Sequence, residues 1–387
     1  TSLIDPLPQR HRVTVRPACS KRSSAPGGHW QAQQAWVNVA DMNTYDPDTL
    51  LEFSANLIEA MGSPRENALI VARHLVEAQL AGHDSHGVIR LPQYHSHVRE
   101  GKVKPGAKVE IVRESPTTAL LDGHYTWGQV TAMKAIELGM AKAEENGIAA
   151  LSLRNCYHVG RVGVYPLAAA ERGLIAQVHC NGHGVCRVAP WGGTEPRLAT
   201  NPVAIAIPTR AEPLLVDITT SVVAEGKVRI SRNANREIPD GWVLDSDGRP
   251  TTNPADLYEG GSLLPLGGRE GHKGYGLSII VDLLGGALSG AGCGTMTEEV
   301  GNGLFIQLTD PACFCEREEF LDHVERFTEY LKSSPLKEGV EEILLPGEPE
   351  QRTAALRREQ GLEIDDGTWG QLLELAKGLG VEAPGGS

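Results

Sequence analysis

Residues 148–179, with the sequence IAALSLRNCYHVGRVGVYPLAAAERGLIAQVH, decide the fold class. Residues 148–153 form an apolar run that predicts a buried strand, and residues 174–179 form a second such run. Between them, residues 162–172 have the apolar spacing and the length of a helix. A strand, a helix and a second strand in this order are typical of α/β proteins.

The same alternation extends to both sides of this stretch. Residues 46–82 predict a helical hairpin, in which Pro47 takes the first position of one helix and residues 63–66, SPRE, form a capping box for the next. Residues 236–272 are rich in Pro, Gly and Asp and predict a long loop. The remaining strands are predicted at 117–121, 203–208, 214–218 and 304–308, and the remaining helices at 130–145, 274–288, 316–331, 349–360 and 368–379.

These elements divide the 387-residue chain into five parts. Residues 1–45 form an extension that we expect to be disordered. Its first 28 residues carry five basic side chains and one acidic side chain, so an organellar presequence is the alternative. The other parts are a helical segment at 46–115, an α/β domain at 116–310, C-terminal helices at 311–380 that pack on the first helical segment, and a tail at 381–387.

The composition limits the partners and the compartment. A net charge of −13 disfavours binding to nucleic acid, because an acidic surface repels phosphate. No apolar stretch reaches the 18 residues of a membrane span. The seven cysteines are odd in number and scattered, so we expect reduced thiols in a cytoplasmic protein.

Residues 82–92, GHDSHGVIRLP, carry the first candidate for catalysis. If Ser85 is the N-cap of a new helical turn, His86 and Arg90 lie four residues apart and share one face. An imidazole can exchange a proton with a reacting oxygen, and a guanidinium can clamp a carboxylate. The alternatives are a surface loop whose histidines have no chemical role and a metal site, for which too few ligands lie nearby.

Two further clusters follow predicted strands, where α/β proteins bind ligands. His158, within residues 154–163, is a second candidate acid or base. The turn at 180–184 contains Asn181 and Gly182, and its glycines allow backbone N–H groups to approach a phosphate. A polar loop and an ordinary tight turn are the alternatives for these two clusters.

Two more clusters complete the candidate set. Asp217, followed by Ile218 and Thr219 at a strand end, can hold ribose hydroxyls or cap a helix. His272 and Lys273 precede an apolar helix. A lysine beside the free backbone N–H groups of a helix N-terminus is a good anion site. A glycine-rich helix entry with a solvated lysine is the alternative there.

Some familiar motifs are absent from the sequence. No G-x-G-x-x-G follows a predicted strand and no P-loop occurs, so a standard Rossmann nucleotide site is not indicated. No G-x-S-x-G occurs, so an α/β-hydrolase is not supported.

Taken together, the clusters resemble the malate/L-lactate dehydrogenase family of the sulfolactate dehydrogenase-like type. The resemblance covers residues 46–380 and rests on short motifs that occur in the same order. These motifs are DSHG at 84–87 with RLP at 90–92, NCYH at 155–158 with Gly160, APWGG at 189–193 with TNP at 200–202, DITTS at 217–221, IPDGW at 238–242, LPLGG at 264–268, HKGYG at 272–276 and LPGE at 345–348.

The resemblance implies an oxidoreductase that transfers a hydride between NAD(P)H and a small 2-oxo or 2-hydroxy acid. It implies a mixed-sheet nucleotide-binding domain at 116–310 that is not a Rossmann fold, together with a helical domain built from N- and C-terminal segments. It also implies NAD or NADP as cofactor, a small carboxylic acid as substrate, no metal, and a homodimer.

The same resemblance implies roles for individual residues. His86 would be the proton donor in reduction, supported by Ser85, and Arg90 would meet the substrate carboxylate. His158 matches an acid or base position of some members, so the leading histidine is left open. The positions that match cofactor contacts are Asn181, Gly182, Asp217, Ile218, Thr219, His272, Lys273, Pro346, Gly347 and Glu348.

The sequence also departs from the family pattern. Many members carry serine near Gly182, so a hydroxyl contact to cofactor is in doubt. Cys156 and Tyr157 replace the small polar residues that commonly precede His158. Three other functions stay open, namely a reductase of a cyclic imino acid, a binding homologue without catalysis, and a metal hydrolase that uses His83, His86 and His158.

Overall fold

The computed structural model describes residues 42–384 except Glu298. The described chain is an α/β protein with one seven-stranded sheet and two small sheets. The helices are α1 Pro47–Ala60, α2 Arg65–Leu80, α3 Leu91–Arg99, α4 Gly128–Asn146, α5 Val164–Ala170, α6 Glu225–Asn233, α7 His272–Asp282, α8 Arg317–Lys332, α9 Glu348–Gln360 and α10 Asp366–Leu379. The strands are β1 Met42–Tyr45, β2 Glu110–Glu114, β3 Thr118–Asp122, β4 Ile148–Cys156, β5 Ile175–His183, β6 Val203–Ile207, β7 Leu214–Ile218, β8 Val243–Leu244, β9 Pro250–Thr251, β10 Ser262–Leu263, β11 Gly301–Thr309 and β12 Leu362–Asp365.

The central sheet is mixed, with strand order β2-β3-β4-β11-β5-β6-β7. β3 and β4 are parallel, and the other neighbouring pairs are antiparallel. The distant strand β11 lies in the middle, where Leu304, Ile306 and Leu308 alternate into the core and are fully buried. Every strand and helix predicted from the apolar spacing is present, so the α/β class is confirmed.

A second core joins the two ends of the chain. Leu50 and Leu57 of α1, Leu75 of α2, Tyr94 of α3 and Leu372 of α10 are fully buried in it. Three residues from the α/β part, Trp127 before α4, Val130 of α4 and Tyr157 after β4, also belong to this core. The loop that follows β4 therefore lies where the two cores meet.

The described chain begins earlier than the sequence predicts. β1 pairs antiparallel with β12, so that Tyr45 opposes Leu362. The predicted extension therefore ends before residue 42, and the rest of it lies outside the described residues. Local propensity does not reveal this pairing because the two strands are more than 300 residues apart in the sequence.

Helix α8 does not pack as the sequence predicts. It forms ion pairs with the α/β part, where Arg210 pairs with Glu318, Asp322 and Glu325. None of its residues is buried. α9 contacts α2, and α10 contacts α1 and α3, so these two helices do pack on the N-terminal segment.

The predicted capping box at 63–66 is also wrong. α2 begins at Arg65 with Pro64 as its N-cap, and no side chain caps it. The Ser63 hydroxyl instead accepts a hydrogen bond from the buried indole of Trp127 at 3.0 Å. A buried indole N–H needs an acceptor, and this tertiary contact takes the hydroxyl that the local motif would use.

The long loop predicted at 236–272 contains more structure than expected. β8 pairs with both β9 and β10 in a small antiparallel sheet. Val243 and Leu263 are fully buried there, with Val188 and Val228 in the same small core. Strands of two residues are too short for a periodic signal, which is why the sequence pattern shows a loop.

Candidate active site

The segment that carries His86 and Arg90 consists of two short 3-10 turns, Asp84–His86 and Val88–Arg90. Gln79 holds their junction, because its side chain accepts a hydrogen bond from the Val88 N–H at 3.2 Å. Gly87 passes so close to Gln79 that a Cβ at this position would lie 2.5 Å from the amide oxygen. Substitution of Gly87 would therefore displace the segment.

Ser85 is not the N-cap that the sequence predicts, since His83 occupies that position and makes no capping hydrogen bond with its side chain. The Ser85 hydroxyl lies 3.1 Å from Nδ1 of His86. The backbone carbonyl of Ser85 accepts a hydrogen bond from Nε of Arg90 at 2.6 Å. Arg90 also donates to Gln93 at 2.9 Å, and it forms no ion pair with a carboxylate of the described chain.

Partly buried polar contacts fix the end of β4 and the loop that follows it. Asn155 adopts φ 51° and donates to both oxygens of the Asp122 carboxylate at 3.0 and 2.9 Å. The Val159 N–H donates to Asn302 at 3.1 Å. Gly128 permits α4 to approach this loop, because a Cβ there would lie 2.0 Å from the carbonyl oxygen of Tyr157. These contacts set the position of His158.

The structure brings the two predicted histidines together. The rings of His86 and His158 stack with centroids 5.8 Å apart and an interplanar angle of 15°. Both side chains are half-buried, as is Arg90. The three residues thus form one partly enclosed group at the junction of the two cores.

A hydrogen-bonded chain that the motif analysis missed orients His158. Gln129 donates to the hydroxyl of Tyr94 at 2.9 Å, and this hydroxyl lies 2.9 Å from Nδ1 of His158. With the Gln129 amide oriented as the donor to Tyr94, the acceptor for the buried Tyr94 proton among the described residues is Nδ1 of His158. Tyr94 therefore donates to Nδ1, and Nε2 of His158 carries the ring proton. The spacing of Tyr94, four residues after Arg90, is the signal that could have identified it.

Burial and charge keep both histidines neutral. Burial lowers the pKa of His86 well below its ordinary value, and the positive charge of Arg90 lowers it further. Burial likewise lowers the pKa of His158 well below its ordinary value, and the positive charge of Arg90 lowers it further. Burial raises the pKa of Tyr94 to about 12, so its hydroxyl keeps its proton at neutral pH.

A third imidazole lies behind this pair. His74 of α2 is 3% exposed, and neither ring nitrogen has a hydrogen-bond partner among the described residues. Its ring packs against Tyr165 at 5.4 Å. Gly160, at φ 73°, leaves room for the ring, since a Cβ there would lie 2.3 Å from Nε2 of His74.

His74 should make the fold sensitive to acid. Burial, with the nearby charge of Arg161, lowers its pKa to about 3, whereas an unfolded histidine titrates near 6.5. The folded state therefore disfavours protonation, and stability is lost as pH falls from 6.5 towards 3. At pH 5 the loss should be about 2 kcal/mol. Denaturant unfolding at pH 7.5 and pH 5 measures it.

The His74→Leu variant should lose less stability than the wild type between these two pH values. His323→Leu, at an exposed histidine of α8, should show the wild-type dependence and serves as the matched control. An unchanged pH dependence in His74→Leu would show that His74 does not carry this effect.

Asn181 and Gly182 lie in strand β5, paired with β11, rather than in the predicted turn, and the Asn181 side chain is structural. Asn181 is fully buried; it donates to Asp282 at 2.9 Å and to the Gly292 carbonyl at 2.8 Å, and accepts from the Gly303 N–H at 2.9 Å. The Gly182 N–H donates to Asn201 at 3.2 Å. The Asn181 carbonyl also accepts from the Asn302 amide at 2.9 Å, so the polar groups of Asn181 are engaged within the protein.

Asp217 is also engaged within the protein. Its carboxylate accepts from Nε of Arg161 and from the Gly163 N–H, both at 3.1 Å. Thr219 donates to the Ser221 carbonyl at 3.1 Å. Ile218 is 41% exposed, which leaves an apolar side chain on the surface at the end of the edge strand β7.

His272 and Lys273 occupy the first turn of α7 and are both exposed. Lys273 forms no hydrogen bond or ion pair with the described residues. His272 lies 3.7 Å from the carboxylate of Glu270, and its ring is 6.4 Å from that of Trp191. Lys273 and the start of α7 therefore offer an accessible cationic surface.

The turn at 346–348 packs on the same edge strand. The Leu215 N–H donates to the Pro346 carbonyl at 3.0 Å, and Gly347 adopts φ 97°. The Glu348 carboxylate accepts from the Leu345 N–H at 2.9 Å. Pro346 and Glu348 line a cavity of about 360 Å³ between β7 and α8.

The structure brings the predicted catalytic residues together, and it separately connects two predicted cofactor segments, 217–219 and the start of α7, through Leu266. Thr220, next to Thr219, accepts from the Leu266 N–H at 2.9 Å. Gly274 of α7 packs on Leu266, whose carbonyl oxygen would lie 2.3 Å from a Cβ at this position. No hydrogen bond or ion pair of the described chain joins the 84–90 segment to Lys273.

Two features are absent from the described residues, a membrane-spanning helix and a metal-binding cluster. None of the helices within 42–384 is long and apolar enough to cross a membrane. No group of three or more His, Cys, Asp or Glu side chains in that part of the chain is arranged to hold a metal ion.

Comparison with known proteins identifies the family. The malate/L-lactate dehydrogenase family model matches residues 45–373. The malate dehydrogenase of Pyrococcus horikoshii is 39% identical over 344 residues, which cover 87% of this chain and 95% of that protein. The L-sulfolactate dehydrogenase of Methanocaldococcus jannaschii is 36% identical over 343 residues, with coverages of 87% and 97%. The crystal structure of malate dehydrogenase from Entamoeba histolytica superposes with a TM-score of 0.85 at 30% identity and covers 89% of this chain and 100% of that one.

The chain therefore belongs to the malate/L-lactate dehydrogenase family. It is an oxidoreductase that transfers a hydride between a nicotinamide cofactor and a small 2-hydroxy acid, as the sequence motifs predict.

Proposed function

We propose that His86, Arg90 and His158 are the catalytic group of this dehydrogenase. The observation that carries the proposal is the stacked His86–His158 pair beside a guanidinium that has no carboxylate partner in the described chain. A half-buried guanidinium without a counterion favours an anionic ligand, and a carboxylate matches its fork geometry. Arg90 then binds the substrate carboxylate and places the adjacent carbon near the two imidazoles.

The two histidines take different roles in this proposal. Nε2 of His158 carries a proton, so this histidine donates a hydrogen bond to the substrate oxygen and polarises it. Tyr94 holds its ring in that orientation. His86, whose Nδ1 faces Ser85, exchanges the proton with the same oxygen as general acid or base. When bound, the nicotinamide supplies or accepts the hydride.

The lowered pKa of His86 suits the base role in oxidation of a hydroxy acid, since a neutral imidazole can accept the hydroxyl proton at neutral pH. An anionic substrate bound at Arg90 offsets the positive charge there. The proton affinity of His86 then rises when substrate binds, which favours the acid role in reduction.

The residues at the start of α7 fit a nicotinamide dinucleotide. Lys273 is exposed and unpaired within the described chain, and α7 presents its N-terminal turn beside it. A cation next to a helix N-terminus is the donor set that a diphosphate needs. We assign Lys273 and this turn to the diphosphate, with the backbone at 181–182 and the 217–219 segment as further contacts.

The finer organisation follows the same proposal. The seven-stranded mixed sheet is the nucleotide-binding domain and lacks the Rossmann arrangement, since β11 enters between β4 and β5 in antiparallel orientation. The helices at both ends form the helical domain that carries Arg90. We propose a cytoplasmic homodimer and leave NAD and NADP as alternatives for the cofactor.

A spectrophotometric screen tests the function. NADH and NADPH oxidation at 340 nm is followed with pyruvate, oxaloacetate, other 2-oxo acids and a cyclic imine. We expect turnover with at least one 2-oxo acid and a preference for one nucleotide. Turnover with the imine alone would assign a cyclic imino acid reductase, and nucleotide binding without any absorbance change would indicate a non-catalytic homologue.

A further inference from the structure

Helix α6 lies against the catalytic segment. A Cβ built on Gly226 would lie 2.9 Å from Cβ and 3.2 Å from Oγ of Ser85. Glycine at this position therefore lets the helix backbone touch the turn that carries His86. Residues three positions apart on a helix share a face, so Arg229 lies on the same side of α6 as Gly226.

Arg229 is a half-buried cation without a partner. It forms no hydrogen bond or ion pair with the described residues, whereas Arg232 on the same helix covers the ring of Tyr258 at 4.6 Å. The positive charge of Arg229 acts on Arg90 of the proposed catalytic group. Burial lowers the pKa of Arg90, and the positive charge of Arg229 contributes to that lowering.

Little negative charge faces the guanidinium groups of Arg90 and Arg229. Glu225 is the acidic side chain of α6 that faces Arg90, and its carboxylate accepts a hydrogen bond from the Tyr258 hydroxyl at 2.7 Å. His83, which also faces His86, is paired with Glu350 at 3.7 Å. Two cations and one shared carboxylate leave net positive charge at this place in a protein of net charge −13.

We infer that Arg229 is a specificity-determining residue that binds a second anionic group of the substrate. The inference rests on the proposed role of Arg90. One carboxylate satisfies one guanidinium, and a second partly buried cation beside it is stabilised by a second negative charge. The substrate class is therefore a 2-oxo or 2-hydroxy acid with a further carboxylate or sulfonate, rather than a monocarboxylic acid.

The test compares a dianionic and a monoanionic substrate in the Arg229→Gln variant. The value of kcat/KM for oxaloacetate should fall by about 10- to 100-fold, while that for pyruvate should stay within about twofold. Arg229→Lys should retain part of the oxaloacetate activity because it keeps the charge. Arg232→Gln removes the same charge from the same helix and should leave the ratio of the two substrates unchanged.

Three outcomes would overturn the inference. Equal losses with both substrates would indicate a structural role for Arg229. A raised KM for NADPH with an unchanged substrate ratio would place Arg229 at the ribose phosphate of the cofactor. An unaltered enzyme would show that Arg229 binds nothing. If the wild type reduces no 2-oxo acid at all, the proposed function itself fails, which the wild-type assay shows before any variant is made.

Discussion

Replacement of His86 by alanine should lower turnover of a 2-oxo acid by about 100-fold or more while leaving NAD(P)H binding intact. The variant loses the only proposed proton donor, but it keeps Arg90 and the α7 turn. Steady-state kinetics gives kcat, and quenching of protein fluorescence by NAD(P)H gives the affinity for the nucleotide.

Two comparisons make this result specific. Tyr94→Phe should reduce kcat less than His86→Ala, because it removes only the hydrogen bond that orients His158. His95→Ala, at the neighbouring position of α3, should behave as the wild type. Wild-type turnover in His86→Ala, together with a large loss in His158→Ala, would transfer the acid role to His158.

The Arg90→Gln variant should lower kcat/KM for every 2-oxo acid by about 1000-fold. Arg90 binds the carboxylate and thereby aligns the carbonyl, so its loss should affect rate as well as affinity. Arg90→Lys should recover only part of the activity, since an ammonium cannot form two parallel hydrogen bonds with a carboxylate.

The control for this prediction is Arg99→Gln, which removes an exposed arginine at the end of α3. It should change kcat/KM by less than twofold. Activity of Arg90→Gln within tenfold of the wild type would contradict the role of Arg90 as the carboxylate clamp. Circular dichroism establishes that each variant is folded.

The sequence predicts the elements whose apolar spacing is long and regular. The strands at 148–153 and 304–308 and the helix at 130–145 are present with small shifts of their ends. The apolar pattern cannot show that β11 enters between β4 and β5, because strand order depends on contacts between distant segments. The pairing of β1 with β12 is hidden for the same reason.

The same distinction between local pattern and contacts of distant segments applies to the residues of the candidate site. His86, Arg90 and His158 could be singled out because their residue types and spacing suggest proton transfer and carboxylate binding. Gln129 and Arg229 are brought to this group by three-dimensional proximity, which no local motif records, whereas Tyr94 has one local signal, its spacing four residues after Arg90. Ser63 is the opposite case. The local sequence predicts a capping box there, but the Ser63 hydroxyl instead accepts a hydrogen bond from Trp127.

Transfer of deuterium from the cofactor tests the central claim most directly. The wild-type enzyme is incubated with NAD(P)H that carries two deuterium atoms at C4 and with its preferred 2-oxo acid, and the products are examined by NMR. We expect one deuterium at C2 of a 2-hydroxy acid, and the other deuterium at C4 of the oxidised nicotinamide. A product without deuterium at C2, or no product from any 2-oxo acid, would contradict the claim.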